Sequence, residues 1–213
     1  MKDGFIKVAA ASPALRVADC AYNCGQIIKA IRRARELEVK LLVLPELAVT
    51  GYTCGDLFGQ KTLLDGALEA LKDIVEATEE DDLLLVVGLP LTVEGRLYNC
   101  AAVIQDGELL GLVPKRNLPN YSEFYEARNF TPGSGEVRSY LFCGSWTPFG
   151  GDLVFRCQEL PDFCLGVEIC EDLWVPAPPS ARLAAAGATI IVNPSASDEA
   201  TGKAAYRRTL VEG

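Results

Sequence analysis

Apolar positions along this chain switch repeatedly between a period of two or a continuous run and a period near 3.6. Phe5 to Ala11 alternates and reads as a strand, and Asp19 can cap a helix whose apolar positions are Ile27, Ile28, Ile31, Ala34 and Leu37. Leu41 to Leu44 is a short unbroken apolar run stopped by Pro45, the pattern of a strand covered on both faces. Leu63 to Ala77 returns to helical spacing, and Leu83 to Leu89 is a second buried strand. Leu97–Gln105 and Glu108–Val113 flank Asp106-Gly107, the strongest hairpin signal in the chain. Between Pro114 and Gly135 the pattern dissolves into a polar, aromatic loop, of a length that in a compact domain points to function. Strands follow at Asp152–Arg156, Phe163–Ile169 and Ala188–Val192, with a small-residue helix at Ala181–Ala186 and a last helical pattern from Lys203 to Val211. Interleaved strands and helices with one hairpin predict an α/β layered domain built on a mixed sheet.

With 213 residues, 49% of them apolar, the chain can bury a sizeable core as one domain. A net charge of −9 argues against nucleic acid and against an acidic membrane surface. No apolar run approaches the ~20 residues of a membrane span. Met1-Lys2-Asp3-Gly4 leads into the first strand pattern without a secretory leader, so a cytoplasmic protein is expected. Eight cysteines with no CxxC spacing read as reduced thiols, several of them buried, with Cys20 and Cys24 on one helix face. The absence of histidine changes the picture most. It excludes a Ser-His-Asp triad, a Cys-His pair and His-based zinc sites, and no metal site is expected. Acid–base chemistry is left to Glu, Asp, Lys, Tyr or Cys.

Three segments place such groups directly after buried strands, where α/β sheets hold ligands: Pro45-Glu46, Pro114-Lys115 and Ile169-Cys170-Glu171-Asp172. Each alone has an ordinary reading, as a solvated carboxylate, a surface lysine and an inert buried thiol. Together they form a Glu, Lys, Cys set whose side chains can meet if the strands run the same way at those ends. The cysteine enters a turn with backbone N–H groups nearby, as a nucleophile requires.

The order Glu46, Lys115, Cys170, in these contexts, resembles the nitrilase (carbon–nitrogen hydrolase) superfamily. More narrowly, Thr50-Gly-Tyr-Thr-Cys-Gly-Asp-Leu-Phe58, the run from Pro114 to Phe130 and Ile169-Cys-Glu-Asp-Leu-Trp174 are similar to the glutaminase half of glutamine-dependent NAD+ synthetases. The resemblance implies an α-β-β-α sandwich amidase domain over residues 1–213 that releases ammonia from L-glutamine and needs no cofactor of its own. It implies that the domain is cut short at its C-terminus and that its partner is a synthetase domain of the same full-length chain, with ATP and Mg2+ belonging there. No phosphate-cradling Gly-rich loop lies in these residues. Pairing into a homo-oligomer is also implied.

The resemblance assigns Cys170 as nucleophile, Glu46 as general base, Lys115 as the cation beside them and Glu126 as the carboxylate that holds the lysine. It places Tyr121, Ser197 and Lys203 at the substrate, with Tyr52, Phe124 and Glu171 lining the same pocket. Lys115 is expected to favour the Cys170 thiolate through its charge, and Lys115→Met to lower activity without unfolding. Two other readings stay open: a stand-alone amidase for another small carboxamide, and a binding module that keeps the fold without catalysis.

Overall fold

The computed structural model describes residues 5–212, so the leader reading at Met1–Gly4 lies outside the described residues. Seven strands, β1 (Val8–Ala10), β2 (Leu41–Val43), β3 (Leu84–Val93), β4 (Arg96–Gln105), β5 (Glu108–Pro114), β6 (Arg138–Phe142) and β7 (Ser145–Phe149), form one sheet in the order β1-β2-β3-β4-β5-β7-β6. Strands β8 (Val154–Arg156), β9 (Cys164–Val167) and β10 (Ile190–Val192) form a second sheet in the order β10-β9-β8. Helices α1 (Cys20–Glu36) and α2 (Lys61–Glu76) cover the outer face of the first sheet, and α3 (Pro179–Ala185) lies on the second; α4 (Lys203–Glu212) follows β10. The layering is helix, sheet, sheet, helix, as the resemblance implied.

The continuous apolar runs of the central strands have a direct cause. Alternate residues feed two different cores. Leu42, Leu85, Val87, Ala102 and Ile104 face the helices with Ile27, Ile31, Leu71 and Ile74. Leu41, Leu84, Val86, Ala101 and Val103 face the second sheet with Phe163, Leu165, Val167 and Val192. A strand buried on both faces has no polar position to alternate with. Helix α1 starts where Asp19 accepts the Tyr22 amide at 3.0 Å. Its buried face includes Cys20 and Cys24, whose thiols lie against the Leu63 and Ala70 carbonyls at 3.8 and 3.7 Å.

Two features depart from the sequence reading. Strand β3 continues past Leu89 through Pro90 to Val93. Even-numbered residues of β3 turn their peptide groups toward β2: the Leu84 amide donates to the Lys40 carbonyl, and the Gly88 carbonyl accepts from Val49. By Pro90 strand β2 has ended, so the missing N–H costs no ladder bond. The segment after Gly135 holds a hairpin, β6–β7, that the periodicity did not reveal. Its turn, Cys143-Gly144, has φ values of 47° and 86°, the same left-handed pair as Asp106-Gly107 at 48° and 71°. Cysteine does not announce that conformation as Asp or Asn does.

β2 and β3 are parallel, and β3, β4 and β5 form an antiparallel meander, so β2 and β5 leave the sheet at the same end. The segments carrying Glu46 and Lys115 therefore emerge side by side.

Candidate active site

Lys115 follows β5 directly, and its backbone N–H donates to the Asn99 carbonyl on β4 at 2.8 Å. The side chain is wholly buried, the largest to be so among the described residues. Its ammonium lies 2.6 Å from Glu46 Oε1 and 2.6 Å from Glu126 Oε1. Asn99 Nδ2 donates to the same Glu46 oxygen at 2.7 Å, and the Ala196 amide donates to Glu46 Oε2 at 3.0 Å. Tyr52 Oη donates to Glu126 Oε1 at 2.7 Å. Two of the three ammonium donors are thus committed, and both carboxylates are oriented by neutral donors.

Burial alone would depress the lysine, but the Glu46 and Glu126 charges outweigh it and hold the ammonium above its usual value. Burial raises the Glu126 carboxyl above its usual value, while the Lys115 charge pulls it down.

Cys170 opens a 3-10 turn, Cys170–Trp174, just beyond β9. It sits at φ 47°, a left-handed conformation that costs a non-glycine residue roughly 1–2 kcal/mol. Its amide donates to the Pro194 carbonyl at 3.0 Å, and its carbonyl accepts from Asn193 Nδ2 at 3.4 Å. On the opposite segment Leu47, next to Glu46, is also left-handed at φ 52°. Both segments that carry reactive groups are therefore strained turns beside regular strands.

Burial, and then the Glu46 charge, push the Cys170 thiol up to about 12, against the opposing pull of Lys115 and the Ala196 amide. Lys115 does favour the thiolate, as expected from its charge, but burial and the Glu46 charge outweigh it. Sulfur buried next to a carboxylate keeps its proton, and the carboxylate is in place to receive it when the sulfur bonds elsewhere.

The remaining predicted residues form two connected groups, Tyr52, Phe124, Tyr121 and Glu171 in one and Ser197 and Lys203 in the other. Tyr121 Oη donates to Glu171 Oε1 and Oε2 at 3.1 and 2.9 Å, and its ring meets Phe124 edge-on at 5.9 Å. Phe124 in turn packs edge-on to Tyr52 at 6.3 Å, whose hydroxyl is spent on Glu126. Lys203 donates to Ser197 Oγ at 2.6 Å, pairs with Asp198, and lies 5.5 Å from the Trp174 ring centre. The structure thus gathers Glu46, Lys115, Glu126 and Cys170, and sets Tyr52, Phe124, Tyr121 and Glu171 in one contiguous chain beside them. A separate cleft lined by Lys40, Gln105, Phe155 and Leu160 contains none of these residues.

Several supporting groups escaped the sequence reading. Asn99 is the clearest, because an asparagine within the apolar run of β4 is itself a signal of a buried polar task. Glu168 accepts the Ser180 amide at 2.9 Å and Asn193 Nδ2 at 3.5 Å, joining β9 to α3 and to the segment after β10. The Ala196 amide carries no side-chain signature and could not have been found.

A family model described as carbon-nitrogen hydrolase matches residues 7–210. Over 209 residues the chain is 46% identical to a glutamine-dependent NAD(+) synthetase of Mycobacterium tuberculosis, covering 97% of this chain and 30% of that protein. The crystal structure of a glutamine-dependent NAD(+) synthetase from Cytophaga hutchinsonii superposes with a TM-score of 0.84 at 33% identity, over 97% of this chain and 33% of that one. An amidase from Nesterenkonia sp. shares the fold, with a TM-score of 0.71 at 24% identity over 96% of this chain and 70% of that one. The chain spans about 30% of the length of such curated relatives.

Proposed function

Because this chain belongs to the carbon–nitrogen hydrolase family, we propose that it hydrolyses the side-chain amide of L-glutamine, and that the ammonia serves an ATP-dependent NAD+ synthetase region of the same protein. The observation that carries the reading is the convergence of Glu46, Lys115 and Cys170, three segments far apart in sequence, at one buried point.

In this reading the Cys170 sulfur attacks the amide carbon and its proton passes to Glu46 as the C–S bond forms. The carbonyl oxygen becomes an oxyanion, stabilised by Lys115 and by the Glu171 amide, which follows the nucleophile. Collapse breaks the C–N bond, and Glu46 returns the proton to the departing ammonia. A water deprotonated by Glu46 then attacks the thioester, giving glutamate and restoring the Cys170 thiol. Glu126 holds Lys115 in place throughout and exchanges no proton. Recognition falls to the surrounding residues: Lys203 and Ser197 for the α-carboxylate, with Glu171 and Tyr121 beside the α-amino group and Phe124 against the apolar stem.

The test uses the full-length protein. Cys170→Ala abolishes ammonia release from glutamine and glutamine-driven NAD+ formation, while NAD+ formation from added ammonium salt persists. Hydrolysis of a panel of small carboxamides in preference to glutamine would support the stand-alone amidase reading instead.

A further inference from the structure

Asp172 stands two residues beyond Cys170 and is 2% exposed, yet it has no cationic partner among the described residues. Its charge is met by N–H groups alone. Oδ2 accepts from the Ile169 amide at 3.0 Å and lies 3.5 Å from the Arg116 amide. Oδ1 accepts from both the Asn117 amide and Asn117 Nδ2, each at 2.8 Å. The Asp172 amide also donates to the Ile169 carbonyl at 3.0 Å, so residues 169 and 172 are bonded in both directions around Cys170. That closed turn contains the left-handed Cys170. The other partners, Arg116 and Asn117, immediately follow Lys115 on the exit of β5, which belongs to the other sheet.

Resting on the hydrolase reading above, we propose that Asp172 is the positioning residue of this site. It closes the strained turn that presents the Cys170 sulfur, and it ties that turn to the segment bearing Lys115. Cys170 and Lys115 sit on separate sheets whose mutual packing is apolar, and apolar contacts do not fix relative position as directional hydrogen bonds do. Four donors converging on one buried carboxylate supply that direction, and a displacement of ~1 Å at a reacting group can cost about 100-fold in rate.

The test compares glutamine hydrolysis by the full-length protein with Asp172→Asn, which keeps the volume but turns an NH2 toward converging N–H donors, and with Asn117→Ala, which removes one arm. Asp172→Asn is expected to lower kcat about 100-fold with KM within about threefold of wild type, and Asn117→Ala to lower kcat about 10-fold with KM equally little changed. The double variant is expected to lose no more than Asp172→Asn alone, because both act through one connection. Should Asp172→Asn fail to fold, Asn117→Ala decides the matter by its split between kcat and KM. An unchanged kcat in either folded variant, or full multiplicative losses in the double variant, overturns the proposal. Wild-type protein that leaves glutamine intact would instead remove the hydrolase reading on which the proposal stands.

Discussion

Lys115 Nζ lies 2.6 Å from Glu46 Oε1, and neither side chain has any accessible surface. A second carboxyl group, Glu126, approaches the same ammonium at 2.6 Å, so one cation is shared between two buried acidic side chains. This arrangement makes the lysine structural as well as chemical. Breaking a buried ion pair by removing one partner typically costs about 3–5 kcal/mol. Lys115→Met is therefore expected to abolish hydrolysis and to lower unfolding stability in urea by about that amount, a destabilisation that the sequence-based expectation did not include. Adding Glu126→Gln to Lys115→Met should recover part of the loss by discharging one stranded carboxylate. Wild-type stability in Lys115→Met would show that the two carboxylates do not depend on the ammonium.

The Cys170 thiol gives a pH signature. Burial and the Glu46 charge push it up to about 12, so it stays protonated well above the ordinary thiol value of about 8.5. Alkylation of Cys170 by iodoacetamide, followed by peptide mass spectrometry, should still be rising at pH 10 in the free protein. Glu46→Gln removes the charge that opposes the thiolate and leaves Lys115, which favours it, so the titration should move to lower pH. A plateau by pH 9 in the wild type, or an upward move in Glu46→Gln, would contradict the assigned charge balance.

Glycine 88 tests the support of the base from a distance. A Cβ added there would lie 2.3 Å from the Leu47 amide nitrogen and 2.7 Å from the Pro45 carbonyl oxygen, both backbone atoms of the segment that carries Glu46. Backbone cannot rotate aside as a side-chain tip can, so Gly88→Ala must displace the segment. Overpacking of this kind costs roughly 1–3 kcal/mol, and the shifted Glu46 should reduce kcat about 100-fold. Thermal unfolding and steady-state kinetics on the same sample check both effects.

Tyr52→Phe removes the neutral donor on Glu126 while leaving the Lys115 contact. Hydrogen bonds to charged groups contribute about 1.5–3 kcal/mol, and a loss of stability in that range is expected, measured by urea unfolding. The accompanying activity loss should be smaller than that of Lys115→Met, since Tyr52 acts on the holder of the lysine and not on the reacting atoms.

The contrast between Glu46 and Asp172 shows what the residues alone could reveal. Glu46, Lys115 and Cys170 were legible because each follows a buried apolar strand, and such a strand fixes where its successor emerges. Their supports were hidden to different degrees. Asn99 betrays itself as a polar residue inside an apolar run, whereas the Ala196 amide has no side chain to signal its role. Asp172 was visible in the Ile169–Asp172 run, but its partners at Arg116 and Asn117 depend on how the two sheets stack. The β6–β7 hairpin shows the same limit in the fold: its strands expose Leu141 and Trp146, which blurs the alternation that marks a half-buried strand.

The amidase assignment is tested most directly by mass spectrometry of the full-length protein treated with a glutamine analogue that carries an electrophilic carbon in place of the side-chain amide. One equivalent of adduct is expected, located on Cys170, suppressed by excess glutamine and absent from Cys170→Ala. Modification spread over the other cysteines, or an adduct unaffected by glutamine, would contradict the account.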